Sequence, residues 1–168
     1  MFEALFSSSA RPKIIRADNF RLRVTARNNP VAIYLAEWSF VDADGTPLTQ
    51  ADYDMNAVAA SSYYAADWGP QWAFNGIISD GSAEPRVRWQ TNYPGEQWIE
   101  IGFNRPIDIS KYRIHVGVGT AYPNNSEYSL NTWVLEKKNE EGVYETVHTV
   151  KNQTKEMWLQ GPYREFTF

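Results

Sequence analysis

Hydrophobic and polar side chains alternate with a period of two in several short segments of this chain. In residues 20–26, FRLRVTA, the apolar positions are Phe20, Leu22, Val24 and Ala26. Alternation of this kind is typical of β-strands that bury one face. Comparable segments predict further strands at residues 56–62, 97–103, 112–118, 132–137, 143–150 and 163–168.

Residues 31–41, VAIYLAEWSFV, change phase within one predicted strand. The apolar positions are odd-numbered up to Leu35 and even-numbered at Trp38 and Phe40. Such a shift is typical of a β-bulge, which we place at residues 36–37. The DADG sequence that follows predicts a hairpin-type turn.

Two segments near the centre of the chain predict connections. Residues 104–110, NRPIDIS, contain Pro106, which has no backbone N–H to donate to a central ladder. We therefore expect a connection or a sheet edge between the strands at 97–103 and 112–118. The preceding loop, residues 75–96, is rich in Gly, Ser, Asn and Pro, and loops of this length are often functional.

Short strands separated by turn signals predict an all-β fold. We expect a jelly-roll-like β-sandwich of two antiparallel sheets. The 168 residues suffice for one domain with a substantial core, and they contain no internal repeat. We assign residues 1–19 to an N-terminal arm and residues 20–168 to the sandwich domain.

Charge and composition argue against several classes of protein. The 16 Lys and Arg nearly balance the 20 Asp and Glu, and no basic block suggests nucleic-acid binding. The chain has no cysteine, so the fold needs no disulfide. No apolar run is long enough to span a bilayer, and Glu3 stands where a signal peptide has a basic region. We expect a chain that folds in a cytoplasm, without a signal peptide and without membrane insertion.

The first 13 residues contain a small apolar patch, formed by Phe2, Leu5 and Phe6 and followed by three serines. A segment this short cannot build a core of its own, so it docks on the domain, packs on another chain or frays. We expect it to mediate assembly, as part of an oligomer or a larger particle.

Four motifs follow one another through the middle of the chain, namely AFNG at 73–76, RW at 88–89, QWIEIGF at 97–103 and YRI at 112–114. Their order and spacing resemble the discoidin-like, coagulation-factor type C family. The opening segments 21–26, 34–40 and 42–45 resemble the start of phage and microbial versions of this module. The departures are Asn75, where the family usually has Asp, and a longer insert before Trp89.

The resemblance extends from about residue 20 to the end of the chain. It implies a galactose-binding-like fold without catalytic activity, in which loops at one end of the sandwich hold the ligand. Together with the phage-like opening, it implies a virion protein of a tail, baseplate, fibre or capsid surface, folded in the host cytoplasm.

Several loops combine aromatic side chains with Asn, Arg or Gln. Aromatic faces stack on the apolar faces of sugar rings, while amide and guanidinium groups form directed hydrogen bonds with hydroxyls. Because aromatic residues also anchor protein interfaces, a protein partner is the alternative to a glycan. Trp89 and Trp98 match positions that are core in the family, so we expect them to be structural. The candidate glycan contacts are Trp68, Arg88, Asn92, Tyr93, Tyr122, Asn124 and Trp158.

The resemblance also implies a calcium site. Family members hold Ca²⁺ with carbonyls of the A-F-D-G turn, its Asp and a Glu from a neighbouring strand. The candidate donors here are Asn75, in place of the family's Asp, and the carboxylates of Glu37 and Asp80. Calcium requires six to eight oxygen ligands, and charge sets its affinity. Since Asn75 removes one negative charge, we expect the site to be weak or absent, and Asn75-Gly76 can equally be a tight turn.

No catalytic motif is evident. The sequence has no Ser-His-Asp spacing, no H-E-x-x-H and no phosphate-binding loop, and its two histidines occupy polar-face positions of predicted strands. Four loop acids could converge as a glycosidase pair, although exposed loop acids are usually solvated. These acids are Asp80, Glu84, Glu96 and Glu127.

Two classes of function therefore remain. The first is a non-catalytic glycan-binding module that attaches a virion to a host cell surface. The second is a structural assembly or decoration protein whose arm and loops bind other virion proteins. A carbohydrate-binding module of a microbial surface protein is a further alternative.

Overall fold

The computed structural model describes residues 13–78, 86–117, 123–159 and 163–168 of the chain. Within them the protein is mostly β-structure with short 3₁₀ helices, which confirms the predicted all-β class. The strands are β1 (Ile15–Arg27), β2 (Ile33–Leu35), β3 (Glu37–Asp42), β4 (Tyr53–Ala60), β5 (Trp89–Thr91), β6 (Gln97–His115), β7 (Leu130–Lys138), β8 (Tyr144–Val150) and β9 (Arg164–Thr167).

Seven of these strands form one large antiparallel sheet, and β2 and β5 form a small second sheet. The order in the large sheet is β3-β6-β1-β7-β8, and β4 and β9 also pair with β6. The first half of β6 pairs with β1 and β4, whereas its second half pairs mainly with β3 and β9. Strand β6 therefore joins two groups of strands.

These two groups of strands face each other across a shared aromatic core. Phe20 of β1 pairs with Ile101, and Phe40 of β3 pairs with Tyr112. Positions 101 and 112 would be roughly 36 Å apart along a straight strand, at about 3.3 Å per residue. The Phe20 and Phe40 rings nevertheless stack with centroids 5.2 Å apart. The large sheet must therefore fold over on itself, which is compatible with a β-sandwich.

Polar contacts link β6, β7 and β8 at the aromatic core. The indole N–H of Trp133 in β7 donates to the Tyr112 hydroxyl at 3.0 Å. That hydroxyl lies 3.1 Å from Nδ1 of His148 in β8. A buried tyrosine and tryptophan thus satisfy their polar atoms while they fill the interior.

The connection predicted at Pro106 is wrong, because one strand, β6, continues from Gln97 to His115. The structure accommodates the proline in a large bulge. Between the pairs Ala17–Ile107 and Asn19–Gly102, β1 has one residue and β6 has four. Residues 104–106 are exposed there, so the missing N–H of Pro106 removes no ladder hydrogen bond.

The phase shift in residues 31–41 has a different cause from the predicted bulge. Strand β2 ends at Leu35 and pairs with β5 in the small sheet, whereas β3 starts at Glu37 and pairs with β6 in the large sheet. The chain thus changes sheets at Ala36, whose N–H donates to the carbonyl of His115 at 2.8 Å. Each sheet buries its own set of side chains, which produces the shift.

Two smaller expectations also need correction. Strand β1 starts at Ile15, so residues 15–19, assigned above to the arm, belong to the sheet. Trp98 is only partly buried, since it shares the outward phase of Glu100, whereas Trp89 is fully buried as expected.

The arm residues Phe2, Leu5 and Phe6 lie outside the described residues. No helix among the described residues is long and apolar enough to cross a membrane.

Candidate functional site

Two loops meet at one end of the fold, next to the small sheet. The first follows β4 and includes Tyr63 and Tyr64, and the second surrounds β5. The N–H of Tyr64 donates to the carbonyl of Gln90 at 2.8 Å, and the indole N–H of Trp89 donates to the carbonyl of Ser62 at 2.9 Å. Because Trp89 is fully buried, these bonds attach the first loop to the core.

A shallow groove of about 600 Å³ lies between these loops. Its most prominent side chains are Tyr63 and Tyr93, which are 48% and 57% exposed. Tyrosine combines a flat apolar face with a hydroxyl, and both features suit an amphipathic ligand. The remaining lining residues are Ser61, Ser62, Pro94 and Gln97.

Gln97 organises the polar floor of the groove. Its side chain is buried, and its carboxamide oxygen accepts hydrogen bonds from the hydroxyls of Ser61, at 2.8 Å, and Ser62. The Ser62 hydroxyl also lies 2.6 Å from that of Thr91. This network crosses from β4 to β5 and β6, so it fixes the two walls of the groove relative to each other.

The backbone of Tyr93 is held from both sides. Its N–H donates to the Thr91 hydroxyl at 3.3 Å, and its carbonyl accepts from Nη1 of Arg27 at 2.9 Å. Gly95 then turns the chain in the left-handed region, at φ 82°. The exposed ring is therefore displayed from an anchored loop, which lowers the entropy lost on binding.

Beside the groove, four side chains stack in a column. The rings of Tyr34 and Tyr128 stack at 4.3 Å, and the guanidinium of Arg88 lies 4.1 Å from the Tyr34 ring and 4.7 Å from the Trp68 ring. Burial lowers the pKa of Arg88 and raises that of Tyr34. Arg88 and Trp68, predicted above as ligand contacts, thus pack on each other, and such cation–π contacts stabilise the loops.

Of three further predicted contacts, Asn92, Tyr122 and Asn124, the structure describes the side chain of Asn92 only. Asn92 is exposed, and its side-chain oxygen accepts from Nε2 of Gln90 at 3.2 Å. Asn124 lies in the 3₁₀ helix Pro123–Tyr128, but its side chain is outside the described part of the chain, as is Tyr122. Of the predicted contacts whose side chains the structure describes, Tyr93 alone lines the groove.

Trp158 is a core residue, so its assignment as an exposed ligand contact is wrong. It lies in the 3₁₀ helix Lys155–Leu159 and is 3% exposed. Its indole N–H donates to the carbonyl of Leu130 at 3.0 Å, and its ring packs 6.0 Å from that of Trp133. The short helix covers the end of β7 and carries the indole inward.

The structure brings together two of the three predicted calcium donors. A carboxylate oxygen of Glu37 accepts the N–H of Gly76 at 3.2 Å, next to Asn75. Burial raises the pKa of Glu37 to about 8, despite that hydrogen bond. The oxygen of Asn75 accepts the N–H of Ile77 at 2.9 Å, so it already closes the turn. Asp80 lies outside the described residues.

This donor set fits calcium poorly. Glu37 is 8% exposed, and both side-chain donors already accept backbone N–H groups. Among the described residues, no cluster of three or more His, Cys, Asp or Glu side chains could hold a metal ion. Calcium needs several hard oxygens, so the described residues supply only a fraction of a site.

We expect millimolar Ca²⁺ to change the melting temperature little relative to EDTA. A ligand present at a hundred times its dissociation constant would stabilise the fold by about 2.7 kcal/mol. A rise of several degrees that Glu37→Gln abolishes would show that Glu37 and residues outside the described ranges complete a site, and would contradict this expectation.

Other titratable residues are engaged in the fold. His115 is buried rather than on a polar face, and burial lowers its pKa to about 4. Its Nδ1 accepts the N–H of Gly117 at 3.1 Å. Glu96 pairs with Arg23 at 3.0 Å, and Glu127 pairs with Lys155 at 3.3 Å. The remaining candidate acids, Asp80 and Glu84, are outside the described residues.

Tyr63, Ser61, Ser62 and Gln97 were not predicted as site residues. Gln97 had a detectable signal, because it shares the phase of the buried Ile99 and Ile101 and is therefore a polar side chain on an inward-facing position. Tyr63 lies in an aromatic loop that the sequence does identify, together with Tyr64 and Trp68, but only the fold shows which of these rings lies beside Tyr93.

No protein-family model matches this sequence, and comparison with curated proteins and with solved structures gave no match. The resemblance to discoidin-like modules therefore stays a prediction from the motifs. The geometry of the groove is the independent basis for a proposal about function.

Proposed function

We propose that the protein is a non-catalytic glycan-binding module and that the groove between Tyr63 and Tyr93 contacts the sugar. The supporting observation is the pairing of two exposed tyrosine rings with a floor of hydroxyl and carboxamide groups. Tyrosine faces suit the apolar faces of sugars, and directed polar groups select the hydroxyl pattern.

The setting of this activity follows from the motif resemblance. In this proposal the chain adopts a jelly-roll-like, galactose-binding-like sandwich and serves as a virion component that attaches to a host surface glycan. The N-terminal arm, with Phe2, Leu5 and Phe6, joins it to other virion proteins. The same groove would serve a carbohydrate-binding module of a microbial surface protein equally well.

The test is an array of neutral and acidic polysaccharides, probed with the parent protein and with Tyr63→Ala and Tyr93→Ala. We expect the parent to bind at least one glycan and each variant to lose at least tenfold in affinity, about 1.4 kcal/mol. Melting temperatures should change little, because substitutions of exposed residues usually alter stability by no more than about 0.5 kcal/mol.

Tyr64→Ala is the matched control. Tyr64 is the neighbouring tyrosine and is 58% exposed, but it does not line the groove. The Tyr64→Ala variant should bind glycan like the parent.

A parent that binds no glycan would contradict the proposal and favour the structural assembly role, in which exposed tyrosines anchor a protein interface. Equal binding by all three variants would place the site elsewhere.

A further inference from the structure

A second depression, of about 410 Å³, lies beside the first. Tyr63 lines both, so one exposed tyrosine is common to two neighbouring depressions. The volumes of both depressions fall within the range of ordinary ligand pockets. The other lining residues of the second depression are Val58, Ala59, Ala60, Ala66, Gly69, Pro70 and Gln71.

Small residues, three alanines and Gly69, leave room for the second depression. A Cβ atom at Gly69 would collide with the carboxamide of Gln71, so the glycine makes room for that side chain. Within the described part of the chain, the Gln71 carboxamide forms no hydrogen bond, and it is half-buried beside the alanines. It can therefore donate to and accept from a hydroxyl of a ligand lying there.

Among the described residues, no charged side chain lines either depression. The protein as a whole has a net charge of −4, which repels polyanions at long range. This lining favours an uncharged ligand that stacks on Tyr63 and forms hydrogen bonds with the Gln71 carboxamide. The Gln97 carboxamide oxygen and the hydroxyls of Ser61 and Ser62 already bond to one another.

We propose that this end of the fold binds an internal stretch of a neutral polysaccharide chain, which crosses Tyr63 and occupies both depressions. This inference rests on the proposed glycan-binding function and specifies its ligand class. Both depressions are open at the surface and share Tyr63, so a ligand that fills both spans more than one sugar, as a polysaccharide chain does and a single terminal sugar does not.

The experiment uses oligosaccharides of two to eight sugars, prepared from the neutral polysaccharide that gives the strongest array signal. We expect the affinity of the parent to rise with length until both depressions are filled. Ala66→Trp fills the second depression from an exposed position. It should leave the affinity for the disaccharide unchanged and lower that for the octasaccharide at least tenfold.

Ala65→Trp is the matched control, because Ala65 is exposed and adjacent but lines neither depression. It should bind every length like the parent. Gln71→Ala is a second variant, which removes the polar group without adding bulk and should also weaken binding of the long ligands only.

The outcomes separate this inference from the proposed function. A parent that binds no polysaccharide would overturn both. A parent that binds with an affinity independent of length, or that is unaffected by both Ala66→Trp and Gln71→Ala, would overturn the two-depression inference and leave the Tyr63–Tyr93 groove intact. A preference for acidic polysaccharides would overturn the assignment of an uncharged ligand.

Discussion

Replacing Glu37 with glutamine is expected to stabilise the protein, and increasingly so as the pH rises. Glu37 is buried, and its pKa is raised from the ordinary 4.5 to about 8 by that burial. Glutamine has nearly the same shape, can still accept the N–H of Gly76 and carries no ionisable carboxyl. The variant therefore avoids the cost of placing a carboxylate in the interior.

The pH window follows from the two pKa values. Below pH 4.5 the carboxyl is neutral in both the folded and unfolded states, so variant and parent should have similar stability. Between pH 4.5 and about 8 the unfolded state loses its proton first, which lowers the stability of the parent by about 1.4 kcal/mol per pH unit. At pH 8 the variant should be more stable by roughly 2–5 kcal/mol.

His115 lowers the stability of both the parent and the Glu37→Gln variant at acidic pH. Because burial lowers its pKa to about 4, its contribution is complete above its ordinary pKa of 6.5 and is lost as the pH falls through 4. Glu37 and His115 are cross-strand partners, so the comparison of variant with parent is decided above pH 6.5, where His115 is neutral in the folded and unfolded states. The measurement is denaturant unfolding between pH 4 and 9.

The control for Glu37→Gln is Glu140→Gln, at an exposed position in the turn after β7. It should differ from the parent by no more than about 0.5 kcal/mol across the range. If Glu37→Gln is less stable than the parent at pH 8, the carboxylate is stabilised by a charge or an ion that the described residues do not contain.

Replacing Trp158 with alanine is expected to lower the free energy of unfolding by about 3–5 kcal/mol. The indole is buried against Trp133, and its N–H is satisfied by the carbonyl of Leu130. Alanine removes the ring and leaves a cavity between β7 and the helix Lys155–Leu159. The measurement is denaturant unfolding at pH 6.

Trp158→Phe helps to separate the two contributions, since it removes the hydrogen bond to Leu130 but keeps much of the apolar volume. The free energy of unfolding should fall less in Trp158→Phe than in Trp158→Ala. The exposed Tyr64→Ala serves as the control of unchanged stability. A Trp158→Ala variant as stable as the parent, but defective in glycan binding, would restore the original assignment of Trp158 as a ligand contact.

The fold class was predictable because alternation is a local property. Residues 20–26 alternate cleanly, and they form part of β1. The sheet change at Ala36 and the passage of β6 through Pro106 were not predictable, because both depend on which strand pairs with each segment. A phase shift or a proline has the same local signature whether it marks a bulge, a break or a change of sheet.

The candidate site was predicted only in part. Tyr93 was identified from its loop, and the structure places it on the surface. Trp68 and Trp158 have similar local sequence signals, yet one stacks on Arg88 and the other is buried in the core. Composition identifies aromatic loops, whereas the distinction between a surface ring and a packed ring depends on distant residues such as Tyr34 and Trp133.

The central claim, that a glycan binds between Tyr63 and Tyr93, is tested most directly by mapping backbone amide chemical shifts of the parent protein during titration with the array-selected oligosaccharide. We predict the largest changes at Ser62, Tyr63, Tyr93 and Gln97, with little change at Trp158 or His148. Shifts concentrated elsewhere in the chain, or no shifts at saturating ligand, would contradict the claim.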